Sequence, residues 1–312
     1  TRLVKKHWMK FAYVNPDTLT GSTLLAYQEH EKLKAELQTE REKYSKSLQN
    51  VSGFKQALES VQRAIAVENP TIKDFQNFTP QTQTDGRVRE LVLRMMPDYK
   101  NYSDFKKQVI DDAYKYYSER LNYHLNLDYD PRDIVGDNYT NSSERFYGNN
   151  DVTSTDAEHG SHVSGIIAAI RDNTIGIKGV ADNVLIMPIR TTPNGDERDK
   201  DVANGIRYAA DNGAKVINMS FGKPYSWDKK AVDEAVKYAI SKDVLIVHAA
   251  GNENENRDEK VRFPNRIYED KSGEAATWIE VGASGFNDDK KLKASFSNYG
   301  KNTVDVFAPG VD

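Results

Sequence analysis

His159-Gly160-Ser161-His162-Val163-Ser164-Gly165 places an imidazole at the mouth of a helix of small residues, Gly165-Ile166-Ile167-Ala168-Ala169-Ile170. Small side chains let such a helix press against a sheet while His159 stays at its open end. An imidazole titrates near neutral pH, so a histidine that reaches substrate suits general-base work. His159 and His162 also share a helix face, and two imidazoles so spaced could ligate zinc, although a third ligand at metal-site spacing is missing. His162 reads as a buried structural histidine, and His248, at the end of an apolar strand, reads the same way. Two further segments end in residues that could act. The run 215–219 leads into Ser220-Phe221-Gly222, and 244–248 leads into Ala249-Ala250-Gly251-Asn252. Open parallel sheets carry their functional groups at the carboxyl ends of strands. Taken alone, Asn252 after a glycine reads as an ordinary turn residue.

The elements that must position these groups occupy residues 126–312. The apolar run Asn183–Arg190, the polar turn Pro193-Asn194-Gly195, a helix Asp199–Asn212 closed by Gly213, the strand 215–219, an amphipathic helix Trp227–Lys242 and the strand 244–247 follow in order. Strands are also expected at 278–281 and 303–307, and Gly251–Phe263 reads as a charged surface loop. β-Branched runs alternating with helices predict buried parallel strands in a βαβ series. Residues 1–125 read as helix almost throughout. Leu33, Leu37, Tyr44, Leu48, Val51 and then Phe54, Leu58, Val61 and Ile65 recur at helical spacing, with Ser52-Gly53 as an expected break between antiparallel helices and Asn69-Pro70 as a stop. Helices are expected around Gly86–Met96 and Ser103–Leu125, the latter capped by Ser103. Its tyrosines Tyr114, Tyr116, Tyr117 and Tyr123 form either a binding surface or, more often for such a stripe, helix packing. Charge divides at the same place: residues 1–125 carry 20 Lys+Arg against 16 Asp+Glu, and 126–312 carry 23 against 31. The resulting balances of +4 and −8 make up the net −4.

That net charge argues against a general nucleic-acid binder. No apolar run approaches the ~20 residues that span a bilayer, and the absence of cysteine excludes thiolate chemistry and disulfides. No G-x-G-x-x-G or P-loop pattern supports a nucleotide-binding protein.

In order and spacing the second half resembles the subtilisin-like serine proteases, the subtilases. The resemblance rests on the His159 motif, Val216-Ile217-Asn218-Met219-Ser220-Phe221-Gly222, His248-Ala249-Ala250-Gly251-Asn252-Glu253, Ala294-Ser295-Phe296-Ser297-Asn298-Tyr299-Gly300 and Asp305-Val306-Phe307-Ala308-Pro309-Gly310-Val311. It implies an α/β fold, a partial subtilisin-like parallel sheet flanked by helices over 126–312, with residues 1–125 an all-helical insertion. It implies peptide-bond hydrolysis by an Asp/His/Ser triad, with His159 the base and Asn252 the oxyanion donor. Ser220, Phe221, Gly222, Ala249, Ala250 and Gly251 would then wall the pocket for the residue before the scissile bond, beside an extended polypeptide substrate. Glu253 beside that pocket would either favour basic residues or be solvated. Asp172–Ala181 resembles a loop that wraps calcium in many members, which makes the carbonyls of Arg171, Ile175 and Ile177 and the side chain of Asn173 candidate ligands of a structural ion; no cofactor is required. Ile134-Val135-Gly136-Asp137 resembles the strand leading toward the histidine. The family's Gly-Thr-Ser and Asp-Ser/Thr-Gly motifs do not occur in these residues, so the expectation is an internal fragment of the catalytic domain. The 312-residue chain is then expected to take up no fluorophosphonate. The parent would be secreted or in the cell envelope, without a nucleic-acid partner; the other reading is a non-catalytic α/β scaffold or pseudoprotease.

Overall fold

The computed structural model describes every residue except 154–156, 194, 196, 290 and 312, and the Met9 side chain. The turn expected at Pro193-Asn194-Gly195 therefore falls partly outside the described residues. The chain divides into two compact units, Thr1–Tyr129 and Asp130–Asp312. No described helix is long and apolar enough to cross a membrane.

The first unit is helical. It runs through α1 (Arg2–Phe11), α2 (Gly21–Ile65), α3 (Ile72–Asn77), α4 (Gln83–Met95) and a final helical stretch. That stretch is α5 (Tyr102–Phe105), π-helical Lys106–Asp111, α6 (Asp112–Glu119) and π-helical Arg120–His124. The break expected at Ser52-Gly53 does not occur, since α2 is continuous through it. One interior glycine costs only about 1 kcal/mol, and the face carrying Leu58 and Val61 is buried beyond it. The expected cap at Ser103 is also displaced. Asn101 is the N-cap, its side chain accepting from the Asp104 amide at 2.9 Å. Thr71 and Thr82 close capping boxes with Asp74 and Asp85 at the starts of α3 and α4. The core gathers Leu58, Val61, Phe75, Val88, Val92, Met96, Tyr102, Phe105 and Ile110. Tyr116 and Tyr117 lie tilted against Tyr44 with ring centroids 6.1 Å apart, a contact between α6 and α2.

The second unit holds a four-stranded, wholly parallel sheet in the order β1 (Val216–Met219), β2 (Leu245–Ala249), β3 (Trp278–Ser284) and β4 (Val306–Pro309). Sequential order follows because each strand returns beside its predecessor, with α10 (Lys229–Ser241) crossing between β1 and β2. α9 (Asp199–Asp211) and α10 bury Val202, Ile206, Val232 and Val236 with Met219, Ile246 and Trp278 of the sheet. The strands are not buried on both faces as expected: β2 and β3 alternate between buried and half-buried positions. Two expected strands are corrected. Asn183–Arg190 forms no ladder, and Leu185 is 100% exposed. Arg132–Val135 is a single helical turn, α7, ended by Gly136 in the left-handed region. A β-branched run needs a neighbouring backbone to become a strand, and neither segment has one among the described residues.

Candidate active site

Pairing fixes where the two candidate walls lie. Met219 of β1 faces His248 of β2, so Ser220-Phe221-Gly222 and Ala249-Ala250-Gly251 leave the same edge of the sheet side by side. On the first wall, the Asn218 side chain donates to the Ser220 hydroxyl at 2.9 Å, and Phe221 packs on the core. Lys223 then pairs with Phe263 through two backbone bonds, Lys223 N–H to Phe263 O at 2.9 Å and Phe263 N–H to Lys223 O at 2.8 Å.

The second wall is braced by Asn298, which is fully buried. Its side-chain amide donates to Ala250 O at 2.8 Å and to Glu253 Oε2 at 2.7 Å. Its Oδ1 accepts from the amides of Glu253 at 3.1 Å and Glu255 at 2.8 Å. Two donors and two acceptor sites are all a carboxamide offers, so Asn298 spends its whole capacity on the loop that carries Asn252. Gly251 is obligatory there: its φ is +103°, and a Cβ would lie 2.5 Å from Asn298 Nδ2. Asn252 itself is exposed. Glu253 is neither free nor merely solvated, because Arg262 pairs with it at 3.1 Å.

Below the walls lies a buried group that motif reading passed over. His248 bonds Glu280 and the Phe221 carbonyl, while Arg257 bonds the Ala250 carbonyl. The signal available in sequence was Glu280 itself, an acid at an inward position of the alternating run Trp278-Ile279-Glu280-Val281.

His159 lies in the first turn of α8 (Glu158–Ala168), and both it and His162 are exposed. This corrects the expectation that His162 is buried: α8 contributes no residue to the apolar core among the described residues, and the side of the helix that carries His162 is exposed. Among the described residues no hydrogen bond joins His159 to Asn252 or to either wall. No three His, Cys, Asp or Glu side chains gather to hold a metal among the described residues. In the loop after α8, the amides of Val180, Ala181 and Gly179 donate to the carbonyls of Ile166, Ile167 and Ala169. Gly179 is required because a Cβ would lie 2.3 Å from the Ala169 nitrogen. Asn173 Oδ1 already accepts from the Ile175 amide at 3.0 Å, and Arg171 pairs with Asp182. With Arg171, Ile175 and Ile177 offering carbonyls only, the loop has four neutral oxygens against the six to eight that calcium takes. It does not complete a calcium site by itself.

A buried ion pair fixes the turn behind the first wall. Asp199 accepts from Lys223 Nζ at 2.6 Å, the Ser226 hydroxyl at 2.6 Å and the amides of Trp227 and Asp228 at 2.7 Å. Burial alone would raise the Asp199 carboxyl, but the Lys223 ammonium, the Asp228 amide and the Ser226 hydroxyl outweigh it and hold it below the ordinary carboxylate range. A carboxyl depressed by folding contributes stability that is complete above its unfolded value, about 3.9, and lost as pH falls through the folded value. Asp199→Asn is therefore expected to lower the urea midpoint at neutral pH, with the gap to the native protein closing below pH ~4. A gap that stays constant from pH 7 to 3 contradicts this assignment.

A parallel sheet flanked by helices, with two loops side by side at its carboxyl edge and the second held by a saturated asparagine, defines an α/β protein with its candidate site at the ends of adjacent strands. The chain belongs to the subtilase family, whose model matches residues 30–312. It is 41% identical over 155 residues to the thermophilic serine proteinase of Bacillus sp. (strain AK1), covering 49% of this chain and 34% of that protein. It is 38% identical over 181 residues to the cell wall-associated protease of Bacillus subtilis (strain 168), covering 58% of this chain and 18% of that one. It is 39% identical over 153 residues to thermitase of Thermoactinomyces vulgaris, covering 49% of each. The chain thus spans half or less of the length of these relatives.

Proposed function

We propose that the full-length protein is a serine endopeptidase that hydrolyses peptide bonds in extended polypeptides, with His159 the general base and Asn252 the oxyanion donor. The observation that carries this is the pair of adjacent strand ends, Ser220–Gly222 and Ala249–Gly251, with Asn252 following on a loop fixed by Asn298. Extended substrate pairs with such backbone by strand addition, and the residue before the scissile bond enters between the two walls. His159 accepts the proton of the nucleophilic hydroxyl and returns it to the leaving amine. The carboxamide of Asn252 donates to the oxygen that becomes negative in the tetrahedral intermediate. Residues 1–125 are read as a helical insertion of this catalytic region. Secretion or attachment to the cell envelope agrees with the cell wall-associated protease among its relatives. A calcium ion held at the Arg171–Ile177 loop would need further oxygens from other segments. A fluorophosphonate probe tests the reaction class: covalent labelling of the full-length protein, blocked by a peptide boronate, is the expected result. Absence of labelling with correct folding favours the peptide-binding scaffold instead.

A further inference from the structure

The buried group under the pocket has a geometry that its packing does not require. Glu280 comes from β3, two strands away from the first wall, and is 4% exposed. Its Oε2 stands 2.9 Å from His248 Nδ1 and accepts from the Trp278 indole N–H at 2.9 Å. The other imidazole nitrogen, Nε2, stands 2.8 Å from the carbonyl of Phe221. Its Oε1 faces Arg257 Nη2 at 3.7 Å, and Arg257 Nη1 donates to the carbonyl of Ala250 at 2.8 Å. His248 and Arg257 are themselves 1% and 6% exposed. One carboxylate thus reaches both walls, through an imidazole on one side and a guanidinium on the other. The two carbonyls are equivalent positions: Met219 pairs with His248, and Phe221 and Ala250 each lie two residues beyond.

The backbone that carries the carboxylate is itself held. The Glu280 amide donates to Asp305 Oδ2 at 2.7 Å, the Asp305 amide donates to Glu280 O at 3.0 Å, and Arg266 grips Asp305 at 3.0 Å. The imidazole is flanked by a carbonyl, which can only accept, and by a carboxyl whose oxygen already accepts from Trp278. Buried charges of this kind roughly break even against well-packed apolar side chains, so a stability role gives them little reason to be there. What they supply is direction, and both directed bonds end on wall carbonyls.

We propose that Glu280, acting through His248 and Arg257, sets the separation of the two pocket walls and so determines which side chain is accepted before the scissile bond. Glu280 is a positioning residue, since it touches neither substrate nor reacting atoms. The proposal rests on the peptidase reading, which assigns those walls to a pocket.

The test uses the full-length protein with Glu280→Ala, Glu280→Gln and Arg257→Lys. Peptides differing only in the residue before the cleaved bond, phenylalanine against alanine, are compared per titrated active site. For Glu280→Ala the ratio of kcat/KM between the two peptides is expected to shift at least about 10-fold, mostly through KM, with kcat changing less than about 3-fold. Glu280→Gln, which keeps the volume, should shift it less. A ratio unchanged within about 2-fold overturns the proposal, because a merely structural residue alters the fraction of active protein and not selectivity per site. Should Glu280→Ala fail to fold, Glu280→Gln and Arg257→Lys carry the same comparison. Amide exchange gives an independent readout: both 219–222 and 249–252 are expected to exchange faster in the variants, and protection unchanged in both overturns the clamp. Native protein that neither cleaves nor labels would sink the peptidase reading alone, with the exchange data still deciding whether the clamp exists.

Discussion

Replacing His159 by alanine in the full-length protein is expected to lower kcat about 10⁶-fold, with KM for a peptide substrate little changed. The magnitude is borrowed from subtilisin, a member of this family, in which loss of the histidine alone costs that much. The reason is that a serine hydroxyl is a weak nucleophile at neutral pH, and its proton must leave as the new bond forms. On the proposed reading peptide binds elsewhere, on Ser220–Gly222 and Ala249–Gly251, so truncating His159 would remove an interaction realised in the transition state and leave ground-state binding. His162 is the internal control. It shares the α8 face with His159 and is exposed, so His162→Ala should keep kcat within a few-fold. Fluorophosphonate labelling should slow with His159→Ala and not with His162→Ala. If the two variants lose activity equally, and a chelator abolishes what remains, the pair of imidazoles is ligating a metal and the general-base assignment falls.

The sequence made the scaffold legible wherever local pattern and tertiary packing agree. Segments 215–219, 244–248 and 278–281 are short β-branched runs bounded by turns, and each became a strand of the sheet. α9 and α10 followed from apolar faces such as Val202-Ala203-Ile206 and Val232-Ala235-Val236, which the sheet buries. Asn183–Arg190 has the same composition but no paired neighbour among the described residues, and strand propensity reports fit to a neighbour more than a preference of the backbone. Gly53 misled in the opposite sense, since a local break signal was outweighed by the buried face of α2. For the candidate site, the loops after β1 and β2 could be located because open parallel sheets carry functional groups at strand ends. The His248–Glu280–Arg257 group could not, because it depends on the register of β2 against β3, which brings His248 opposite Glu280. The burial of His162 failed for a related reason: small residues on α8 announce a helix able to pack closely, not the presence of a surface to pack on.

Lys200→Met is expected to cost the second unit about 3 kcal/mol, the low end of what breaking a buried ion pair removes. Lys200 is 2% exposed, yet all three of its protons are placed: on Asp137 Oδ2 at 2.6 Å, Asn138 O at 2.8 Å and Glu144 Oε2 at 2.7 Å. Its ammonium also lies 4.6 Å from the Tyr147 ring centre. Methionine fills the volume and donates nothing, so Asp137 stays buried with Arg132 as its remaining cation. That remaining partner is why the low end applies. Arg132 in turn bonds Asp201 of α9 at 2.7 and 3.1 Å, and the Tyr147 hydroxyl donates to Asp201 at 2.6 Å. The segment 137–147 is Asp-Asn-Tyr-Thr-Asn-Ser-Ser-Glu-Arg-Phe-Tyr, and with Phe146 exposed its apolar anchoring falls to the half-buried rings of Tyr139, against Trp227, and Tyr147. Charge supplies its remaining ties to the start of α9, and that makes it sensitive to a single neutral substitution. Amide exchange after Lys200→Met should therefore rise most in 132–147, ahead of β1–β4. Adding Asp137→Asn removes the stranded carboxylate, and the double variant should be more stable than the sum of the two single losses by at least about 1 kcal/mol. Strict additivity, or a single-variant loss under about 1 kcal/mol, would show that solvent reaches Asp137 and that the network is ornamental to the fold.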